Sequence, residues 1–428
     1  MPDDVTPEST STGKPSVSVV MPSFNQVLFL ERSIRSVLEQ SVSSLELLVM
    51  DGGSTDGTQA LLARMSQQAG GRLRWWSEAD HGPAHAVNKA MEIARGDVIG
   101  WLNADDLYTS GAIARALDTF DHHPDCLMIY GHGQHIDECD RTIGDYPTQR
   151  PDTPISRFAD GCFICQPTVF ITKKLLKELG GLDESLETAF DFDWWFRIFK
   201  RHQGEIGFVD EVQAQSRLHS NCITLRRRET VIREGMLVIA RYLGSCPRHW
   251  FNTYADEMLS TYPLGRQVSS IAVHLNEFAK SVSEHLTRAD RRKLRKQLKT
   301  DQRITLAKHD AYLDIDPDGL LLKRSLLRVR CLRWRWRWVE IRGRYLANSG
   351  GSFKLKVISP NGEILTQHVD LEKTFKLKIP LHPPSKRPAY WVFTIDAEEE
   401  LHSEEVKLGA TEREKIACRI DAIRLRLF

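Results

Sequence analysis

No run of roughly 18 to 20 uninterrupted apolar residues occurs in these 428 residues, so the sequence offers no helix able to cross a bilayer. It offers no phosphate-cradling loop either. GxxxxGK[ST] is missing, and no GxGxxG follows the first apolar run. An excess of one charge is also lacking. With 58 Lys+Arg against 57 Asp+Glu, the net charge of +1 gives no global field favouring nucleic acid or an acidic substrate. Met1 to Lys14 is rich in Ser, Thr, Pro and acids, without the basic start and apolar centre of a signal peptide, and residues 1–15 read as a disordered tail. The eight cysteines are scattered, which suits a reducing cytoplasm better than a disulfide framework. Their one close pair, Cys162 and Cys165, has no second CxxC and no histidine at zinc-like spacing, so buried thiols are expected.

What is present is an ordinary globular composition, 41% hydrophobic and 27% charged, in a chain long enough for two or three domains. Short apolar runs at 17–21 (VSVVM), 45–50 (LELLVM), 73–77 (LRWWS) and 97–102 alternate with helical patterns, the last of which covers Ala84 to Arg95. That alternation predicts a mostly parallel sheet covered on both faces. In such sheets ligands sit beyond the carboxyl ends of the strands. Here each end carries polar or glycine-rich residues: PSFNQ, DGGSTDG, SEADHG and NADD.

Further on, Lys173 to Leu179 and Asp193 to Arg201 read as helices. Residues 268–299 read as one long helix whose last part, Arg288 to Lys299, holds seven basic residues and one acid. Past Asp316 the pattern changes to period-two runs such as SFKLKVIS and TFKLKIPL, which predict a β-sandwich over 319–428. The expected organisation is an α/β domain over 16–260, a helical linker over 261–318, and the sandwich. The Trp/Arg alternation at Trp334, Trp336 and Trp338 fits a half-buried strand. Contact with an anionic membrane surface or with nucleic acid are the alternatives for the basic stretches.

NADDLY places adjacent carboxylates at a strand end. Like charges there raise each other's pKa, a conflict that a divalent cation with oxygen ligands resolves. The alternative is that Asp105 caps the next helix and Asp106 is solvated.

Six ordered motifs resemble the family-2 glycosyltransferases of GT-A fold: SVVMPSFNQ, LELLVMDGGSTDGT, SEADHGPAHAVNKAMEIARGDVIGWLNADD, CQPTVFITKKLLKELGGLDESL, FDFDWWFR and RLHSNCIT. They cover roughly residues 16 to 245. The resemblance implies a Rossmann-like, mostly parallel sheet. It also implies inverting transfer of a sugar (hexosyl type) from a nucleoside-diphosphate donor to a saccharide or lipid-linked acceptor, in polysaccharide or glycolipid biosynthesis of a bacterial kind. Base and ribose contacts map to Pro22, Phe24, Asn25, Asp51 and Gly52. Asn88 and Lys89 map to a pair lining the donor site, Lys89 being equally readable as a solvated charge. The DxD-like element maps to Asn103 and Asp105, with Mg²⁺ or Mn²⁺ on Asp106 and His219. The catalytic base maps to Asp191, with Phe190 where Glu is common.

Two departures stand out. Asn103 replaces the first Asp of the DxD, and Gly52 falls where many relatives carry a uracil-reading carboxylate. Read without the family, Asp191 is as readily a helix cap, His219 a structural histidine, and Asp193 a cap for the helix beginning near Trp194. A cytoplasmic enzyme, allowing peripheral contact with the inner face of the membrane and a homo-oligomer, and without nucleic acid, is the expectation. A non-catalytic sugar- or nucleotide-binding protein on a decayed transferase fold is the alternative. A nucleotidyltransferase would need a Gly-rich, Arg-containing loop that MPSFNQVLFLE does not supply.

Overall fold

A computed structural model describes residues 16–262, 270–307, 311–330, 338–345, 352–370, 374–381, 390–400 and 415–426. The N-terminal tail, Trp334, Trp336 and the Pro-rich link at 382–388 lie outside them. Contacts divide the chain into two compact units, Met1–Cys246 and Pro247–Phe428.

The first unit begins with β1 (Val17–Ser23), α1 (Val27–Leu38), β2 (Leu45–Asp51), α2 (Thr58–Gln68), β3 (Leu73–Ser77), α3 (Pro83–Ile93) and β4 (Val98–Trp101). β5 (Leu107–Tyr108), α4 (Ala112–His122), β6 (Met128–Ile136), β7 (Thr142–Asp145), β8 (Phe170–Thr172) and α5 (Lys173–Leu179) follow. α6 (Phe190–His202), β9 (Ile206–Arg217), α7 (Ile223–Arg226) and α8 (Arg228–Leu243) complete it. The sheet runs β3-β2-β1-β4-β8-β6-β9-β5, with β7 beside β6. β3, β2, β1 and β4 are mutually parallel, as are β6 and β9, while β8 is antiparallel to both β4 and β6. Every residue of β2 is buried and β1 is nearly so. Helices on both faces leave no solvated side, hence the unbroken apolar runs. Val19, Leu47, Ile34, Leu62 and Phe170 belong to one core. This is the mostly parallel α/β sheet that the motif order implies. Strand order reverses at β1, between β2 and β4, the place where sheets of this kind hold ligands beyond the carboxyl ends of their strands.

The second unit opens with α9 (His249–Thr261), α10 (Ile271–Val282), α11 (Arg288–Thr300) and α12 (Gln302–Leu306). The single helix expected over 268–299 is thus two. A short 3-10 turn at Ser283–His285 ends the first, and Thr287 starts the second by accepting at Oγ1 from Asp290 N–H, 3.0 Å. Nine strands follow: β10 (Ala311–Leu313), β11 (Leu320–Leu322), β12 (Arg324–Arg330), β13 (Trp338–Tyr345), β14 (Ser352–Ile358), β15 (Ile364–Asp370), β16 (Thr374–Pro380), β17 (Tyr390–Glu400) and β18 (Lys415–Arg426). They form two antiparallel sheets, β10-β12-β17-β14-β15 and β11-β18-β13-β16. Leu327, Val357 and Ile395 from one sheet and Ile341, Leu377 and Ile423 from the other share a core, which makes the β-sandwich. β16 shows the period-two rule plainly, with Phe375, Leu377 and Ile379 buried and Lys376 and Lys378 exposed. The Lys378 ammonium lies over the Trp338 ring, 5.5 Å from its centroid.

Candidate active site

β4 delivers the NADD turn to the carboxyl end of the sheet at that reversal. Asn103 ties it together through both ends of its amide. Its Oδ1 accepts from Trp101 Nε1 at 3.0 Å, and its Nδ2 donates to Asp106 Oδ2 at 3.1 Å and to Gln166 Oε1 at 2.9 Å. Gln166 Nε2 closes the ring by donating to the Trp101 carbonyl at 2.8 Å. An aspartate could accept at this position but could not donate, so an asparagine here suits the network.

Asp106 is buried, and its second oxygen accepts from the Arg217 N–H at 2.9 Å. Burial first, and then the Asp105 charge, pushes its carboxyl up to about 8. Each Asp106 oxygen thus accepts one bond from the protein, and together they latch the turn to β9. Asp105 Oδ2 meets His219 Nε2 at 3.0 Å, with Asp105 retaining some exposure. Arg217 was not singled out by the sequence, yet it organises this corner. Its fully buried side chain donates from Nε to the Asp105 carbonyl at 2.7 Å and from Nη1 to the Asp137 carbonyl at 2.7 Å. Its guanidinium lies 4.8 Å from the Phe29 ring centroid, and that ring sits 4.8 Å from His219.

Asp191 lies in the first turn of α6 and is half-buried. Among the described residues it forms no ion pair. It accepts from the Phe192 N–H at 2.7 Å, and burial pushes its carboxyl up to about 6 against the weaker opposing effect of that bond. Phe190 stacks on Trp101 with centroids 5.9 Å apart, joining the start of α6 to the NADD network. Between the two acids runs the Cys162–Gln166 segment. The Cys165 thiol is held well above its ordinary pKa by burial first, then by the charges of Asp106, Cys162 and Asp191. Burial likewise pushes Cys162 up to about 12. Cys126, Cys139, Cys162, Cys165 and Cys222 are free thiols.

Asp193 is no helix cap, because α6 already begins at Phe190. Its buried carboxylate instead accepts from Arg197 Nε at 2.9 Å, Arg241 Nη1 at 2.7 Å and the Tyr242 hydroxyl at 2.9 Å, pinning α6 to α8. The start of α6 is secured by Glu234 of α8, which the sequence did not flag. Its carboxylate accepts from the N–H groups of Glu187, Thr188 and Ala189 and from the Thr188 hydroxyl, at 2.7–3.0 Å.

The remaining expected residues divide. Pro22, Phe24 and Asn25 end β1, with Phe24 60% exposed and Asn25 at φ +53°, a conformation asparagine tolerates. Asn25 Oδ1 accepts from Thr55 N–H at 2.9 Å, which joins this end to the DGGSTDG loop. Asp51 is buried and accepts from Ser54 N–H (3.0 Å), Ser77 Oγ (2.6 Å) and Ser54 Oγ, so it braces the loop. A Cβ at Gly52 would come 2.9 Å from Asp80 Oδ2, so an acidic side chain from the next strand end fills the place a residue-52 side chain would take. Asp80 Oδ1 accepts from the Gly82 N–H at 2.9 Å. Asn88 turns away to clip another loop, exchanging bonds with the Leu182 N–H and carbonyl and donating to Glu184 Oε1. Lys89 is paired with Glu78, whose carboxyl it holds below the usual range.

The glycosyl transferase family 2 description matches residues 18–180. An uncharacterised glycosyltransferase of Rickettsia conorii is 27% identical over 48% of this chain and 34% of its own length. One of Nostoc sp. is 31% identical over 32% of this chain and 42% of its own. The chondroitin synthase of Escherichia coli is 27% identical over 43% and 26% respectively. The chain spans less than half the length of each of these three relatives. Among solved structures, S. aureus TarS 1–349 in complex with UDP-GlcNAc aligns with TM-score 0.47 at 15% identity, over 74% of this chain and 97% of that one. The mannosyltransferase PcManGT of Pyrobaculum calidifontis, with GDP-Man and Mn²⁺, aligns at 0.44 and 16%, over 68% and 89%. No helix among the described residues is long and apolar enough to cross a membrane. Residues 18–180 of the N-terminal unit thus carry the match to glycosyl transferase family 2, on a mostly parallel sheet.

Proposed function

We propose that this domain transfers a sugar, with inversion at the anomeric carbon, from a nucleoside-diphosphate donor to a hydroxyl of a saccharide or lipid-linked acceptor, and that Asp191 is the base. The contrast among the carboxylates supports this most. Asp51, Asp106 and Asp193 each accept two or more bonds from protein donors, and Asp105 faces His219. Asp191 alone of these five is half-buried, without an ion pair among the described residues, and raised to about 6. A base with that pKa is ionised at neutral pH yet close enough to it to take a proton in the transition state.

Asp191 accepts the proton of the acceptor hydroxyl as that oxygen bonds to the anomeric carbon. The bond to the diphosphate breaks on the opposite face, and its electron pair leaves with the diphosphate. Phe190 and Trp101, stacked beside the base, keep its surroundings apolar and limit access of water that would otherwise hydrolyse the donor. Asp105 and His219 suit a divalent cation. They are one carboxylate and one imidazole, and Mg²⁺ or Mn²⁺ held against a diphosphate takes only one or two protein ligands beside phosphate oxygens. No larger cluster of ligating side chains occurs among the described residues. Bound there, the cation would supply neutralisation of the charge that builds on the departing diphosphate. Asp80, in the space over Gly52, is assigned to accept an N–H of the nucleobase, since its Oδ2 meets no protein donor among the described residues while Oδ1 is held by Gly82.

The test is turnover across a panel of uridine, guanosine, adenosine and thymidine diphosphate sugars with Mn²⁺ and simple glycoside acceptors, wild type beside Asp80→Ala. A product of inverted anomeric configuration, with donor KM raised roughly 10- to 100-fold in Asp80→Ala and kcat nearly unchanged, is the expected outcome. A retained configuration, or nucleotide binding without turnover of any donor, contradicts the proposal.

A further inference from the structure

In the second unit, α11 packs on α10 through buried Leu294 and Leu298. At 3.6 residues per turn, Arg288, Arg292, Arg295, Lys296 and Lys299 fall within an arc of about 100° and a length of roughly 16 Å. All five are exposed. None of the five has an ion-pair partner among the described residues. The helix's single acid, Asp290, lies off the stripe, held by Thr287 and near Lys293 at 4.0 Å. Arg288/Arg292, Arg292/Lys296 and Arg295/Lys299 are i,i+4 pairs of like charge, an arrangement that destabilises a helix left in plain water. A chain whose overall charge is only +1 has concentrated cations on one face of one helix.

We infer that the α11 stripe docks on the surface of a bilayer containing anionic lipid. The cations line one face of a single helix over about three turns, which suits an extended sheet of phosphates. No aromatic residue lies on α11 to stack on bases, as single-strand nucleic-acid grooves use. Long Arg and Lys stems let the heads reach a headgroup layer while the backbone stays outside it. Each cation at an anionic surface strengthens binding by about fivefold, so losing three weakens it by roughly a hundredfold. The effect is screened within about 10 Å at 0.1 M salt. This inference does not depend on the transfer chemistry, and its test involves no sugar donor.

The experiment is co-sedimentation of the full chain with phosphatidylcholine vesicles with and without 30% phosphatidylglycerol. Wild type, Arg292→Gln/Arg295→Gln/Lys299→Gln, and the charge-keeping Arg292→Lys/Arg295→Lys are compared at low and high salt. We expect binding only to the anionic vesicles, lost at high salt, weakened roughly a hundredfold in the triple variant and kept in the Lys variant, with thermal midpoints no lower than that of wild type. Equal binding to neutral vesicles, an unaffected triple variant, or tighter binding of a short single-stranded RNA than of the vesicles would overturn it.

Discussion

Asn103 and Asp106 are joined by a 3.1 Å hydrogen bond in which the amide gives the proton and the carboxylate takes it. That polarity explains an asparagine where the family resemblance leads one to expect an acid. Asn103→Asp would replace two donated bonds with a carboxylate facing Asp106 Oδ2 and Gln166 Oε1. Urea denaturation should show a loss of about 2–3 kcal/mol at pH 8, shrinking on acidification as one of the carboxyls takes up a proton. An unchanged midpoint would mean that the network is not what holds the turn.

Glu234 anchors the start of α6 from α8. Truncation in Glu234→Ala leaves three backbone donors and the Thr188 hydroxyl without their acceptor, and should cost about 1–2 kcal/mol of stability. Because it positions the helix that carries Asp191 and not the nucleotide, kcat should fall while donor KM moves little. Glu234→Gln, able to keep some of the bonds, should recover part of kcat. A selective rise in donor KM would point to a different role.

With only Asp105 and His219 to offer, the protein alone should hold Mn²⁺ weakly. Titration followed by electron paramagnetic resonance should show affinity rising at least tenfold when nucleoside diphosphate is present, and Asp105→Ala should erase that gain. Asp106→Asn, which keeps an acceptor for the Arg217 N–H, should leave metal affinity nearly intact. Loss of metal in Asp106→Asn with retention in Asp105→Ala would reverse the two roles.

Asp191 also carries a stability signature. Its folded pKa of about 6 stands above the ordinary 3.8, so the native state favours the protonated form. Its relative contribution to stability is full below pH 3.8, fades as pH rises towards 6, and is gone above it. Asp191→Asn removes a buried charge and should stabilise the protein by about 2–3 kcal/mol at pH 7.5, with the gain vanishing near pH 4. Thermal melts of both proteins across this range give the comparison. A variant less stable than wild type at pH 7.5 would mean that the carboxylate is favourably bound.

Much of the fold was legible because burial leaves a direct trace in residue type. VSVVM and LELLVM read as strands since both faces are covered, and TFKLKIP reads as one since only one face is. The positions of Asp191 and the NADD acids at element ends were legible. Arg217 and Glu234 were not, because their value lies in contacts with Asp106 and Ala189, 111 and 45 residues away, which no local pattern records. Asp106 drew attention as an acid beside an acid, and its two oxygens accept from Asn103 and from Arg217, 3 and 111 residues away. The break before α11 had a local signal in Thr287-x-x-Asp290, a capping pattern inside an otherwise continuous helical run.

The account stands or falls on the base. Asp191→Asn, assayed at pH 7.5 for sugar transfer and separately for donor binding by calorimetry, should lose about 10²- to 10⁴-fold in kcat while binding donor within about twofold of wild type, and the wild-type rate should rise with pH through about 6. Transfer by Asp191→Asn within tenfold of wild type, with the same dependence on pH, would contradict it.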